Sequence, residues 1–88
     1  MIDFKNTRRG FLELIGDTIY IIYKYYPNAT KTRVYKELRL DFYAYKKYAI
    51  LLLKNDFIGY DNNKKFFLKN KGLEYLEIYN KLKSYFED

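Results

Sequence analysis

Lysines stand among aromatic residues in one segment of the chain, LDFYAYKKYAILLLKNDFI, residues 40–58. Lys46 and Lys47 offer ammonium donors that suit a phosphate oxygen or a guanine edge. Tyr43, one helical turn earlier, can donate its hydroxyl to a phosphate or contact a thymine methyl group. A solvent-exposed helix face with no ligand explains the same lysines equally well. These residues alone therefore leave open whether the face binds DNA.

A second polar group, Lys31, Thr32 and Arg33, stands at the start of a predicted helix. The first N–H groups of a helix have no partner within it, and the helix dipole favours an anion at that end. We therefore predict that Lys31 and Thr32 bind a phosphate group. For Arg33 the alternative is an ion pair with Glu37, four residues further along the same helix.

The composition argues against several classes of function. The chain has no Cys and no His, which removes disulfides, thiolate metal sites and the usual general base. No spacing of carboxylates or lysines suggests catalysis, so we expect no enzyme activity, cofactor, metal or small-molecule substrate. The formal net charge of +6 favours an anionic partner, although an AT-rich genome also yields lysine-rich proteins. The longest apolar runs, IYIIY and AILLL, are far shorter than the ~20 residues of a membrane span, and we expect a cytoplasmic protein.

Aromatic residues supply much of the apolar surface of this short chain. Twelve Tyr and seven Phe provide large buried areas for a core that must be small. Tyr20, Tyr25 and Tyr60 could stack on single-stranded nucleic acid. Packing in the core or in a dimer interface explains most of them more simply.

The periodicity of apolar residues predicts mainly helical structure with one small β-hairpin. Thr30 and Asp41 are the predicted N-caps of the second and third helices. The predicted helices cover residues 9–26, 31–38, 41–55 and 69–87, and the predicted strands cover residues 57–60 and 65–68. The order helix-helix-helix-hairpin-helix is the winged helix-turn-helix arrangement, in which the third helix enters a DNA major groove.

The chain length suits one domain with two appendages. We predict a flexible arm at residues 1–8, a winged helix-turn-helix domain at residues 9–68 and a C-terminal dimerisation helix at residues 69–88. Apolar residues recur in this last helix at steps of four, three and four: Tyr75, Tyr79, Leu82 and Phe86. Such spacing keeps a seam facing a partner helix and predicts a homodimer. Packing of the seam within the same chain is the alternative.

Three segments, ELIGDTI (13–19), TKTRVYKEL (30–38) and residues 40–58, resemble the ArnR-like winged helix-turn-helix family of archaea and their viruses. The sequence departs from that family's pattern at the end of the third helix, where Asp56 replaces a glycine. Asn70 stands where a threonine cap is common, and the tip of the hairpin, the wing, has no glycine.

The resemblance implies DNA binding, often by a dimer joined through the last helix, with roles in transcription or chromatin. It places the third helix, residues 41–55, in the major groove. The expected wing contacts are Asn63, Lys64 and Lys65, although a solvated turn would have the same residues. We thus predict a homodimeric, sequence-specific regulator that binds double-stranded DNA in an archaeal cell or its virus-infected host. The alternatives are an architectural protein that binds DNA without sequence preference, and a winged-helix module that binds another protein.

Overall fold

The computed structural model describes residues 10–86, which form helices and a small antiparallel sheet. The elements are α1 (Phe11–Tyr25), β1 (Ala29–Thr30), α2 (Lys31–Leu38), α3 (Phe42–Lys54), β2 (Ile58–Tyr60), β3 (Lys65–Leu68) and α4 (Asn70–Ser84). This order confirms the predicted fold class, a mainly helical winged helix-turn-helix. The predicted arm at residues 1–8 lies outside the described residues.

The two helices of the helix-turn-helix begin at the N-caps that the sequence predicted. The Thr30 hydroxyl accepts a hydrogen bond from the N–H of Arg33 at 3.2 Å. The Asp41 carboxylate accepts one from the N–H of Ala44 at 2.9 Å. Between the helices, Arg39 adopts a left-handed conformation with φ of 57°, which ends α2 and turns the chain into α3.

The other predicted boundaries differ from the structure by a few residues. Helix α1 begins at Phe11 rather than at residue 9, because Gly10 is extended. Phe57 is not part of a strand: its N–H bonds the carbonyl of Leu52, and Asp56 before it takes the left-handed conformation that glycine adopts readily. Helix α4 covers 70–84 rather than 69–87. At its end the N–H groups of Tyr85 and Phe86 bond carbonyls three residues earlier, as in a 3₁₀ turn.

A third strand, β1, was not predicted, since the sequence at residues 27–30 indicates only a turn. Ala29 pairs with Phe66 and Thr30 with Lys65, so that β3 lies between β1 and β2. The pairing fastens the start of α2 to the root of the wing.

The core forms around α1, which packs against the other three helices and against β1 and β3. Helical periodicity predicts an inward face of Tyr45, Tyr48, Ala49 and Leu52 on α3; Tyr45, Ala49 and Leu52 are buried, and Tyr48 is partly buried against the core. Phe42 contacts the ring of Tyr35 in α2 edge-on, with 5.8 Å between the ring centroids. The most buried large side chains are Phe66, Ile19, Ile22, Leu38, Leu52, Ile58 and Val34. Among the helices of residues 10–86, none combines the length and the apolar character needed to cross a membrane.

Candidate nucleic-acid interface

The outer face of α3 is exposed and carries cations without carboxylate partners. Tyr43 is 82% exposed, and Lys46, Lys47 and Lys54 are also exposed. Within the described part of the chain, neither Lys46 nor Lys47 makes a side-chain hydrogen bond or an ion pair. Their ammonium groups are therefore available to an anionic ligand.

The first turn of α2 presents the second predicted group. Lys31, Thr32 and Arg33 are all exposed there. The Lys31 ammonium lies over the ring of Tyr60 in β2, at 4.9 Å from its centroid. This contact joins the beginning of α2 to the wing.

Arg33 is held by an aromatic ring rather than by the carboxylate considered from the sequence. Its guanidinium lies over the ring of Tyr25, at 4.7 Å from the centroid. The Tyr25 hydroxyl in turn donates a hydrogen bond of 2.9 Å to Glu37. Glu37 thus orients the ring and leaves the charge of Arg33 without a direct counterion.

The turn at the tip of the wing is stabilised by one of its own side chains, that of Asp61. The Asp61 carboxylate accepts hydrogen bonds from the N–H groups of Asn63 at 2.9 Å and Lys65 at 3.0 Å. Lys64 lies between them with φ of 62°, a left-handed residue of the kind that completes such hairpin turns. Asn63 and Lys64 are exposed, whereas the Lys65 ammonium donates a 3.0 Å hydrogen bond to the side chain of Asn28.

Tyr60 links the first turn of α2 to the wing. It packs on Phe66 with 4.9 Å between ring centroids and carries Lys31 on its face. Burial, with a smaller contribution from the neighbouring Tyr60, raises the pKa of Tyr45 in α3 to about 12. Strand β2, which ends at Tyr60, also packs against α3.

Sequence reasoning missed the residues that hold the cations in place. Tyr25 and Tyr60 were expected mainly to pack, and Asn28 was considered only as part of a turn. Lys31 and Tyr60 are separated by 29 positions and belong to different elements, so no local pattern connects them. The sequence shows many tyrosines in a basic chain, but this composition does not indicate which rings contact cations.

The aromatic residues of α4 are engaged with α1 of the same chain. The Tyr75 hydroxyl donates to the carbonyl of Leu12 at 2.7 Å, and the Tyr79 hydroxyl donates to the Asp17 carboxylate at 2.9 Å. Burial and the Asp17 carboxylate raise the pKa of Tyr79. The Tyr79 ring rests directly on Gly16, where a Cβ atom would overlap it. These contacts attach α4 to the domain.

The other two residues of the predicted dimer seam remain open to solvent. Leu82 is 54% exposed and Phe86 is 89% exposed. Together with Leu12, Ile78, Tyr75 and Tyr79 they line an open groove of about 550 Å³. The charged residues Glu13, Asp17 and Lys83 also line this groove.

Comparison with known protein families agrees with this architecture. A family model described as winged helix-turn-helix matches residues 8–87. The chain therefore belongs to the winged helix-turn-helix family, a class of DNA-binding domain. No curated protein gives a significant match to the chain. The narrower ArnR-like assignment remains a prediction.

Proposed function

We propose that this protein is a homodimeric regulator of transcription that binds specific sequences of double-stranded DNA, with α3 in the major groove. The observation that supports this most directly is the outer face of α3. It presents Tyr43, Lys46 and Lys47 without carboxylate partners in the described residues, opposite a buried face that fixes the helix. The cytoplasm of an archaeal cell, or of its virus-infected host, is the proposed setting.

In this mechanism, some elements recognise the base sequence and others bind the DNA backbone. The N-terminal part of a recognition helix reaches base edges, so Tyr43 contacts bases while Lys46 and Lys47 bind phosphates or guanine. The first helix of the motif crosses the backbone, which brings Lys31 and Thr32 to phosphate groups. The wing contributes further backbone contacts that carry no sequence information.

Charge reversal on α3 tests the assignment. Replacing Lys46 and Lys47 together by Glu changes the net charge from +6 to +2 and should raise the Kd for duplex DNA by roughly one to two orders of magnitude. The matched control replaces Lys71 and Lys81 by Glu, which gives the same net charge at exposed positions of α4, outside the proposed DNA contacts. Equal losses in the two variants, measured by fluorescence anisotropy, would contradict a local role for α3.

Selection of bound fragments from a random DNA pool tests sequence specificity. A regulator enriches one motif, and the Tyr43→Ala variant should enrich a different or broader one. The Lys64→Ala variant should weaken binding to all sequences alike, because phosphate contacts are independent of sequence. A wild-type protein that binds the pool without enrichment is an architectural protein. A wild-type protein that binds no DNA even at low salt fits a protein-interaction module instead.

We also propose that the groove between α1 and α4 is the dimer interface. Leu82 and Phe86 would cover the same groove of a second copy, with Tyr75 and Tyr79 beneath them. Exposed apolar patches on this scale commonly mark interfaces, and a two-fold axis would present two recognition helices to one DNA duplex.

The dimer proposal is tested by sedimentation of two variants of α4. Leu82→Gln should shift the protein towards a monomer. Leu73→Gln is the matched control, since Leu73 is 45% exposed on the same helix but lines a different groove. A wild-type protein that sediments as a monomer at high concentration, or equal effects of the two replacements, would reject this interface.

A further inference from the structure

Three cations around the start of α2 are held by neutral groups. Lys31 lies over the Tyr60 ring, Arg33 lies over the Tyr25 ring, and the Lys65 ammonium bonds the amide oxygen of Asn28. An aromatic face attracts a cation through its quadrupole and adds no negative charge. Each of these cations is therefore placed without being neutralised.

This differs from what an ion pair would do at the same position. A carboxylate would hold the cation equally well but would compete with phosphate for it. Within residues 10–86 the salt bridge that does form, between Lys69 and Asp56 at 3.3 Å, involves neither Lys31 nor Arg33. Glu37, four residues after Arg33 on the same helix, accepts a hydrogen bond from the Tyr25 hydroxyl.

The Tyr25 ring also collects a second cation. The Lys24 ammonium, at the end of α1, lies 5.4 Å from its centroid, while Arg33 lies at 4.7 Å. One neutral ring thus gathers two cations where the end of α1 meets the start of α2.

On the basis of the proposed DNA binding, we infer that Tyr25 and Tyr60 are positioning residues, which hold Arg33 and Lys31 ready for the phosphates of double-stranded DNA. Lys24 joins the contact surface through the same Tyr25 ring. Ordering long side chains before binding reduces the entropy lost on association. The two tyrosines thus strengthen binding without touching DNA themselves.

A double-mutant cycle at Lys31 and Tyr60 tests this inference. Tyr60→Leu should raise the Kd for duplex DNA about two- to fivefold, the effect of one cation–π contact at an exposed site. Tyr60→Phe should restore wild-type affinity, since the ring remains. In a Lys31→Gln background, Tyr60→Leu should have no further effect. A Tyr60→Leu effect of the same size in both backgrounds would mean a purely structural role and would overturn the inference.

Tyr25 provides an independent test if Tyr60→Leu, whose ring packs on the buried Phe66, disturbs folding. Tyr25→Leu should weaken binding in the wild type and have a clearly smaller effect in an Arg33→Gln background. Melting temperatures of all variants check that each is folded. Wild-type protein that binds no duplex DNA removes the proposed function and this inference together. Wild-type binding with no coupling in either cycle removes the inference alone.

Discussion

Replacing Lys64 by Gly should make the protein more stable and weaken its binding to DNA. Lys64 has φ of 62° at the tip of the wing, where the left-handed conformation costs residues other than Gly about 1–2 kcal/mol. Glycine recovers this cost but loses about 0.4–1 kcal/mol through the greater freedom of the unfolded chain. The net gain is about 0–1.6 kcal/mol, and its middle value of about 0.8 kcal/mol raises the Tm of a domain of this size by about 3–6 °C.

The same replacement removes one cation from the proposed interface. If Lys64 binds a phosphate, the slope of log K against log salt concentration should become shallower by about 0.9. Thermal unfolding by circular dichroism and a salt series of anisotropy titrations measure the two effects separately. Lys64→Ala is the matched control for binding, because it removes the charge and keeps the left-handed backbone.

Arg39→Gly is the control for stability, since Arg39 has nearly the same φ, 57°, at the end of α2. It should stabilise the fold by a similar amount. A lower Tm for Lys64→Gly would refute the assignment of backbone strain to the wing tip. An unchanged salt slope for both Lys64 variants would remove this residue from the DNA contacts.

Three further predictions concern the fold that carries the interface. Gly72→Ala should destabilise the protein by about 1–3 kcal/mol in urea unfolding, because the added Cβ would overlap the carbonyl oxygen of Phe57. This loss should exceed the gain from the higher helix propensity of alanine. A stabilised variant would contradict the close approach of α4 to that carbonyl. Stability should fall as the pH rises from 10 towards 12, since Tyr45 ionises near 10 when unfolded and at about 12 when folded. Tyr45→Phe should reduce this alkaline loss, and an unchanged pH profile would count against burial of the hydroxyl. Asp41→Ala should cost about 0.5–2 kcal/mol through loss of the bond to the N–H of Ala44, with no loss of DNA affinity in a variant that remains folded.

Local chemistry was sufficient for the helix-turn-helix itself. Helix α2 begins and ends where the sequence predicted, and Thr30 and Asp41 cap the two helices as expected. Capping involves a side chain and an N–H group three residues away, so the necessary information lies within one turn. The inward face of α3 follows from helical periodicity in the same way.

Contacts between residues that are distant along the chain could not be predicted from the sequence. Strand β1 is two residues long and exists because β3, more than thirty positions later, offers it hydrogen bonds. Lys31 follows β1 and Tyr60 ends β2, and both strands pair with β3, which brings the two residues together. No local preference encodes either contact, since both form only when the chain has folded.

The last helix shows most clearly what only the tertiary structure decided. Steps of four and three residues suit a seam against any surface, whether it belongs to the same chain or to a partner. The structure places Tyr79 on its own α1, because Gly16 leaves room for the ring and Asp17 accepts its hydroxyl. Leu82, three residues further along α4, remains 54% exposed beside the same helix. Spacing along a helix determines which residues share a face, whereas the surface opposite that face is determined by the packing of the whole chain.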